Sequence, residues 1–148
     1  MCPRRREFES LTRYQSKEYA VVNDTLLILI VVAAHWVGDF VLQTQWMAEN
    51  KSKSVAVLST HVAVYTCVMM WAVATFTMTT SLRVEDVLAW VTLNGALHLI
   101  VDSVTSVASS HFWYKREYRK FFMVVGFDQC VHYVCLIGTL GMMTGTEG

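Results

Sequence analysis

The chain alternates between long apolar runs and short polar segments. Four of the runs are long enough to cross the roughly 30 Å hydrocarbon core of a bilayer, which takes about 20 helical residues. They lie near residues 26–46, 54–79, 87–109 and 121–144. The connections between them are short, so neighbouring helices are expected to run antiparallel. The pattern predicts an all-α integral membrane protein in which four transmembrane helices form an antiparallel bundle.

The distribution of charge separates this fold from a soluble helical bundle. The 29 residues between Lys53 and Arg83 carry no formal charge, and each of the other three runs carries a single aspartate. A soluble helix would show a charged outer stripe at helical spacing, which these runs lack. Composition agrees, because 54% of the residues are apolar and only 16% are charged, with a mean hydropathy of +0.38. These values fall outside the range of ordinary soluble domains.

The first 25 residues are polar and mixed in charge, unlike the rest of the chain. The apolar run that follows them continues well past Ala33 and Ala34, so it does not have the form of a cleaved signal peptide. We expect residues 1–25 to form a polar tail, in water or at the interface, and residues 26–146 to form a single transmembrane domain.

Two of the predicted loops, those after the first and third helices, share one face of the membrane. We call this the basic-loop face, because it carries six basic residues close to the helix ends, an excess that favours the cytoplasmic side. These residues are Lys51, Lys53, Lys115, Arg116, Arg119 and Lys120.

Three of the four predicted helices contain a histidine and an aspartate four residues apart. The last helix carries the pair in reverse order, and it also runs in the reverse direction. Each aspartate therefore lies nearer the basic-loop face, and each histidine lies one turn deeper. Each aspartate and the histidine of the second helix lie seven residues from a predicted helix end, about 10 Å deep. The residues are His35 and Asp39, His61, His98 and Asp102, and Asp128 and His132.

An ionised side chain inside the bilayer costs roughly 2.5–3.5 kcal/mol on insertion scales, so these groups are expected to face one another or a ligand. All seven are predicted metal ligands. Nitrogen and oxygen donors without a thiolate suit Zn²⁺, and also Mn²⁺ or Fe²⁺, and seven donors suffice for two ions. Two other interpretations stay open: a proton or ion relay, and hydrogen bonding that holds the helices together. Three amides are expected to orient the ligands, namely Gln43, Asn94 and Gln129.

Other functional classes find little support in the sequence. The formal net charge is zero, and the one basic-aromatic segment, residues 111–120, lies at a predicted helix end where an aromatic belt is expected, so we expect no nucleic-acid partner. The four cysteines show no C-x-x-C spacing, which argues against a disulfide framework and against a thiolate metal site.

The motifs around the polar residues resemble a known family. The strings "HWVGDFVLQTQWMAENKSK", "LSTHVAVYT", "LHLIVDSVTS" and "FDQCVHYV" are similar to the small bacterial and phage membrane proteins grouped as domain of unknown function 3307. The resemblance covers roughly residues 26–140. It implies a polytopic helical protein located in the bacterial inner membrane or in the membrane of a host cell, without fixing its biochemical role. More distantly, the His–Asp helices resemble inner-membrane families that carry a metal-dependent hydrolase label, which is an analogy of fold and site only.

The leading functional hypothesis is a metal-dependent hydrolase that acts on a lipid-linked or phosphate-bearing substrate. One of Asp39, Asp102 and Asp128, left uncoordinated, would then be the general base. The partners expected are the bilayer and an anionic lipid attracted by the basic loops, and a homo-oligomer is left open. Transport of protons or divalent cations is the first alternative, but residues 26–34 and 134–143 offer almost no polar side chain for a path. The second alternative is a regulator that binds another membrane protein.

Overall fold

A computed structural model describes Gln15, residues 23–77 and residues 82–144, and the elements in this part of the chain are all helices. Four of them are long and apolar enough to cross a membrane, which confirms the predicted fold class. Two short helices follow the first and last of these. The helices are α1 (Asn23–Val41), α2 (Gln45–Asn50), α3 (Val55–Thr77), α4 (Val84–Tyr114), α5 (Tyr118–Gly138) and α6 (Gly141–Thr144).

The predicted domain boundary cannot be compared with the structure, because nearly all of the polar tail, residues 1–25, lies outside the described residues. The predicted second helix, 54–79, likewise ends beyond the described part of α3. For the remaining helices, the observed ends differ from the predicted ones at the basic-loop face, and these differences affect the site.

The first helix ends earlier than predicted, so the expectation of one helix over 26–46 was wrong at its C-terminal end. α1 stops at Val41, and its last five residues form a π-turn, which takes one extra residue per turn. Gln43 leaves the helix and does not continue the face that carries Asp39. Thr44 then caps α2, because its hydroxyl oxygen accepts a 3.2 Å hydrogen bond from a backbone N–H of that helix.

The third and fourth long helices extend further towards the basic-loop face than predicted. α4 continues to Tyr114 instead of ending at 109, and α5 begins at Tyr118 instead of 121. The equal depth of seven residues is therefore not reproduced, since Asp102 lies twelve residues before the end of α4. At the other end α5 stops at Gly138, and α6 follows after a turn instead of continuing the helix to 144.

An apolar core fills the half of the bundle that lies away from the basic-loop face. It joins all four long helices, and its central members are almost completely buried, with Val73 and Trp90 fully inaccessible. Burial of this apolar surface packs the helices together at that end. Further members are Leu27, Val31, Tyr65, Met69, Val91 and Leu136.

Large apolar side chains also cover the outside of the bundle. Trp71, Val104 and Phe122 are each more than 60% exposed, at 71%, 67% and 66%. Exposed apolar surface of this extent is a liability in water, whereas in a bilayer it contacts acyl chains. The molecule is thus apolar outside and at one end, and the polar side chains are gathered in the other half of its interior.

Two glycines allow helices to approach α3 closely. A Cβ added at Gly38 of α1 would lie 3.1 Å from the ring and 3.3 Å from the Cα of Tyr65. A Cβ added at Gly95 of α4 would lie only 2.8 Å from the hydroxyl oxygen of Thr66, which is itself hydrogen-bonded to the backbone. Small residues at such contacts are the usual means of close helix packing in membranes.

We expect Gly95→Ala to destabilise the bundle by about 1–3 kcal/mol, because the added methyl group must push α4 away from Thr66. The matched control is Gly126→Ala, since a Cβ at Gly126 meets nothing within 4 Å, and it should change stability by less than about 1 kcal/mol. Thermal unfolding of the purified protein in detergent, followed by circular dichroism, measures both. Equal shifts in Tm for the two variants would contradict the close approach.

Candidate metal centre

The seven histidine and aspartate side chains singled out in the sequence all lie inside the bundle. They come from four different helices, and none is more than 8% exposed. α1 contributes His35 and Asp39, α3 contributes His61, α4 contributes His98 and Asp102, and α5 contributes Asp128 and His132.

The end of α1 positions Asp39 against α3. Asp39 lies in the π-turn, and the neighbouring Gly38 lets this turn approach Tyr65 of α3. One turn before Tyr65, the His61 imidazole reaches the same level, and its Nε2 lies 3.1 Å from Oδ1 of Asp39. The close helix contact and the polar contact therefore depend on the same segment of α1.

Four of the side chains form a compact first group, Asp39, His61, His98 and Asp102, whose donor atoms all lie within 4.8 Å of one another. The Nε2 atoms of His61 and His98 are 3.2 Å apart. The distance from Nε2 of His61 to Oδ2 of Asp102 is 3.3 Å, and the distance from Nε2 of His98 to the same oxygen is 3.6 Å. Ligands held about 2.0–2.1 Å from a tetrahedral ion are about 3.3–3.4 Å apart. The group could therefore hold an ion without a large rearrangement.

A second group, formed by Asp39, Asp128 and His132, shares Asp39 with the first. Nε2 of His132 lies 3.4 Å from Oδ1 of Asp128 and 3.4 Å from Oδ1 of Asp102. Asp102 therefore also faces both groups. Two ions held by shared carboxylates are typically about 3.5–4 Å apart. The arrangement offers donors for one ion or for such a pair.

His35 lies beside these groups and belongs to neither of them. Its Nε2–H donates to Oε1 of Gln129 (3.0 Å), while its Nε2 is 3.9 Å from the nearer oxygen of Asp39. Its Nδ1 can then accept a long hydrogen bond of 3.4 Å from the Tyr65 hydroxyl. The structure thus gives His35 protein partners at both ring nitrogens.

The three predicted orienting amides are placed differently. Gln129 lies in the cluster, where its Nε2 donates to Asp39 (2.7 Å) and to Asp128 (3.0 Å). Asn94 instead donates to the backbone carbonyl of Trp90 (3.0 Å) and to the Thr139 hydroxyl (2.9 Å), on the side of the apolar core. Gln43, beyond the end of α1, lines a cavity next to the cluster.

Three residues of the site were missed by the sequence analysis. The Lys51 ammonium donates a 2.7 Å hydrogen bond to Oδ2 of Asp102, and the Thr105 hydroxyl donates a 2.5 Å hydrogen bond to Oδ1 of Asp128. The third residue, Tyr65, follows His61 at the same four-residue spacing as the His–Asp pairs, so its sequence position was a usable signal. The sequence position of Lys51 gave no such signal, because nothing distinguishes it from the other basic residues of the loops.

Aromatic stacking fixes the orientation of the His98 ring. Tyr65 lies on one side, with centroids 3.9 Å apart and planes within 12°, and His132 also stacks on the ring at 4.2 Å and 24°. Nδ1 of His98 and Nδ1 of His61 are buried and have no hydrogen-bond partner among the described residues. Metal-binding histidines usually receive their orientation from a hydrogen bond at the second nitrogen. Here the stacked rings supply that orientation for His98.

A cavity of about 310 Å³ adjoins the carboxylates at the basic-loop face. One part of its wall is polar and includes all three aspartates, and the other part consists of phenylalanines and valines. The polar lining comprises Asp39, Gln43, Lys51, Asp102, Thr105, Ser106, Ser109, Asp128 and Gln129, and the apolar lining comprises Phe40, Ala48, Phe121, Phe122, Val124 and Val125.

Comparison with known proteins agrees with the sequence motifs. The model of the family described as "Protein of unknown function (DUF3307)" matches residues 26–147. The chain belongs to this family. No curated protein and no solved structure shows a significant match. Membership confirms the predicted relationship, but the family description assigns no reaction.

We expect the Tyr65 ring to matter more for stability than its hydroxyl. Tyr65→Leu removes a ring that is 1% exposed and stacked on His98, and it should cost about 2–4 kcal/mol. Tyr65→Phe keeps the ring and loses only the 3.4 Å hydrogen bond to His35, so it should cost less than about 1.5 kcal/mol. Unfolding in detergent measures both, and an equal loss in the two variants would show that the stack does not support the site.

Proposed function

We propose that this protein is a metal-dependent membrane hydrolase that acts on a phosphate-bearing, lipid-linked substrate at the basic-loop face. The observation that carries the proposal is the convergence of imidazole nitrogens and carboxylate oxygens from four helices into two overlapping groups. Side chains of this kind are costly inside a bilayer unless they serve one another or a ligand. Their convergence next to a cavity favours a ligand.

The first group suits Zn²⁺ best among the common divalent ions. It offers two imidazole nitrogens and two carboxylate oxygens at separations close to the edges of a tetrahedron. Mn²⁺ and Fe²⁺ also accept these donors, whereas Mg²⁺ and Ca²⁺ prefer oxygen alone. The cysteines described by the structure contribute no donor to either group. Zn²⁺ is therefore the proposed resident ion.

The second group leaves coordination positions open. It provides only three donors, from Asp39, Asp128 and His132, and sites with three protein ligands are typical of catalytic ions. An ion held by these residues would make a bound water acidic and would polarise a phosphoryl oxygen. Catalytic chemistry is therefore better supported than a purely structural metal.

Asp128 is the carboxylate that we assign as general base when only the first group holds an ion, because Asp39 and Asp102 are then coordinated. It lines the cavity, and at 8% it is the most exposed of the three aspartates. Hydrogen bonds from Thr105 and Gln129 hold its two oxygens in place. A base within reach of water in the cavity is what hydrolysis requires.

The cavity favours an amphipathic substrate. Its polar wall carries the charged groups and its apolar wall carries phenylalanines, so it suits a phosphate attached to a lipid. Transport is less well supported, because the buried side chains beyond the cluster are largely apolar, with Val73 and Trp90 fully buried, and the Asn94 amide nitrogen there is already hydrogen-bonded to Trp90 and Thr139. The described residues of the apolar core therefore provide no continuous polar path across the membrane.

Metal binding is the first test. The purified protein in nanodiscs should bind at least one equivalent of Zn²⁺ or Mn²⁺, measured by calorimetry and by elemental analysis. Asp39→Asn should weaken binding at both groups, because Asp39 belongs to both, whereas Asp128→Asn should affect only the second. The matched control is Asp86→Asn, because Asp86 pairs with Arg83 at the other end of α4.

A folded wild-type protein that binds neither ion would overturn the metal centre and favour the regulatory alternative. The same conclusion would follow if Asp39→Asn and Asp86→Asn bound metal equally well. Size-exclusion chromatography and circular dichroism of each variant establish that it is folded before its affinity is interpreted.

Hydrolysis is the second test. The metal-loaded protein should release inorganic phosphate from a phosphatidate in mixed micelles, and a chelator should abolish the release. Asp128→Asn should lower the rate by about 100-fold or more, because it removes the general base or, when the second group also holds an ion, one of that ion's three protein ligands, while Asp86→Asn should leave it unchanged. Metal-loaded protein without phosphatase activity on lipid or soluble phosphate esters would refute the proposed reaction and leave the metal site intact.

A further inference from the structure

We propose that Lys51, Ser106 and Gln43 form a phosphate-binding site in the cavity beside the metal centre, and that the phosphate belongs to a lipid that enters between α1 and α5. This inference rests on the proposed function and deepens it, because it names the group that is bound and the route by which it arrives. Each of the three residues lines the cavity.

Lys51 is held over the cavity by its loop. Its own backbone N–H donates to the carbonyl of Met47 (2.8 Å), and the next residue, Ser52, accepts a 2.9 Å hydrogen bond from the Ser110 hydroxyl of α4. Within the described part of the chain, the ammonium donates one hydrogen bond, to Asp102. An ammonium carries three N–H donors, so two remain for a ligand in the cavity.

Other basic residues of the same face are engaged elsewhere. The Lys53 ammonium lies 5.6 Å from the centroid of the Tyr114 ring. Lys120 pairs with Glu117 and thereby holds the pKa of that carboxyl below its usual range. Among the basic residues that the structure describes, Lys51 alone lines the cavity. Lys53 therefore provides a control of equal charge from the same loop.

Ser106 is the second and independent indication of a ligand. It is 5% exposed, lines the cavity, and its hydroxyl has no hydrogen-bond partner among the described residues. By contrast, the neighbouring Ser109 hydroxyl donates to a backbone carbonyl of α4, as hydroxyls in helices commonly do, and the Thr105 hydroxyl donates to Asp128. A buried hydroxyl without a partner is unfavourable. A phosphate oxygen in the cavity would accept its hydrogen bond.

Gln43 carries another unpaired polar atom at the same cavity, because its Oε1 is buried without a hydrogen-bond partner in the described part of the chain. Rotation of the amide by 180° exchanges its oxygen and its nitrogen. In that orientation the amide supplies an N–H donor to a phosphate oxygen. The early end of α1 releases Gln43 from the helix and so allows it to reach this position.

The apolar wall indicates a lipid as the source of the phosphate. Phe40 of α1 and Phe122 of α5 line the cavity, yet they are 45% and 66% exposed on the outside of the bundle. The cavity therefore reaches the lipid-facing surface between these two helices. A lipid could place its headgroup against Lys51 and leave its acyl chain along the phenylalanines.

The charge of the cluster makes phosphate binding dependent on metal. Asp39, Asp102 and Asp128 against the single ammonium of Lys51 leave a formal charge of −2 when the imidazoles are neutral. A phosphate anion is repelled by this charge unless a divalent cation offsets it. Metal and phosphate should therefore increase each other's affinity, because coupling between two sites is reciprocal.

The test uses the full chain in phosphatidylcholine nanodiscs with Mn²⁺ as the metal probe. Bound Mn²⁺ is paramagnetic and should broaden the ³¹P signal of dihexanoyl phosphatidate strongly, and that of inorganic phosphate less. Lys51→Met should weaken phosphatidate binding by about 10-fold or more, and Ser106→Ala by about 5-fold. Lys53→Met should leave it unchanged. Lys51→Met should bind Mn²⁺ at least as tightly as the wild type, because the ammonium no longer competes for Asp102.

The outcomes separate this inference from the proposed function. If Mn²⁺ does not bind to the wild type, the metal centre fails and the phosphate site fails with it. If Mn²⁺ binds but no phosphate signal broadens, or if Lys51→Met and Lys53→Met bind phosphatidate equally, the phosphate site alone is refuted. Inorganic phosphate that binds as tightly as phosphatidate would refute entry of a lipid and retain the phosphate contacts.

Discussion

Three carboxylates and four imidazoles are enclosed in a bundle whose outside is apolar, and the rest of the structure accommodates that burial. Each group would be costly in the bilayer by itself, so the helices must bring them together. Gly38 and Gly95 let α1 and α4 approach α3 closely enough for this. The apolar core at the opposite end holds the helices in place and closes the interior there. Stability and function thus depend on the same helix contacts.

The polar cluster contains more potential metal-ligating atoms than are needed for hydrogen bonds that simply join the helices. Gln129 and Thr105 already supply hydrogen bonds to the carboxylates, and Lys51 supplies a cation. Nevertheless, the Nε2 atoms of His61 and His98 point at each other across 3.2 Å. Two imidazoles arranged only to hold helices together would gain more from separate partners. The proposed cation, shared by the two nitrogens, would account for their approach.

Much of this arrangement could be predicted from the sequence, because helical periodicity is a local property. A four-residue spacing puts both members of a pair on the same face of their helix, as for His98 and Asp102. The pair Asp128 and His132 is reversed in sequence, and the antiparallel direction of its helix brings its face to the same level as the others. The break after Val41 was missed because Gln43, Thr44 and Gln45 are polar but uncharged, and Trp46 and Met47 then resume the apolar run. The role of Lys51 depends on how its loop folds back over α4, and no local pattern encodes that contact.

X-ray absorption at the zinc edge of protein loaded with one equivalent of Zn²⁺ identifies the atoms that surround the ion. We expect a shell of nitrogen and oxygen at about 2.0–2.1 Å, with the outer scattering of two imidazoles from His61 and His98. A shell containing sulfur at about 2.3 Å, or one of oxygen without imidazole, would contradict it. Either result would mean that the buried histidines and aspartates do not form the metal centre.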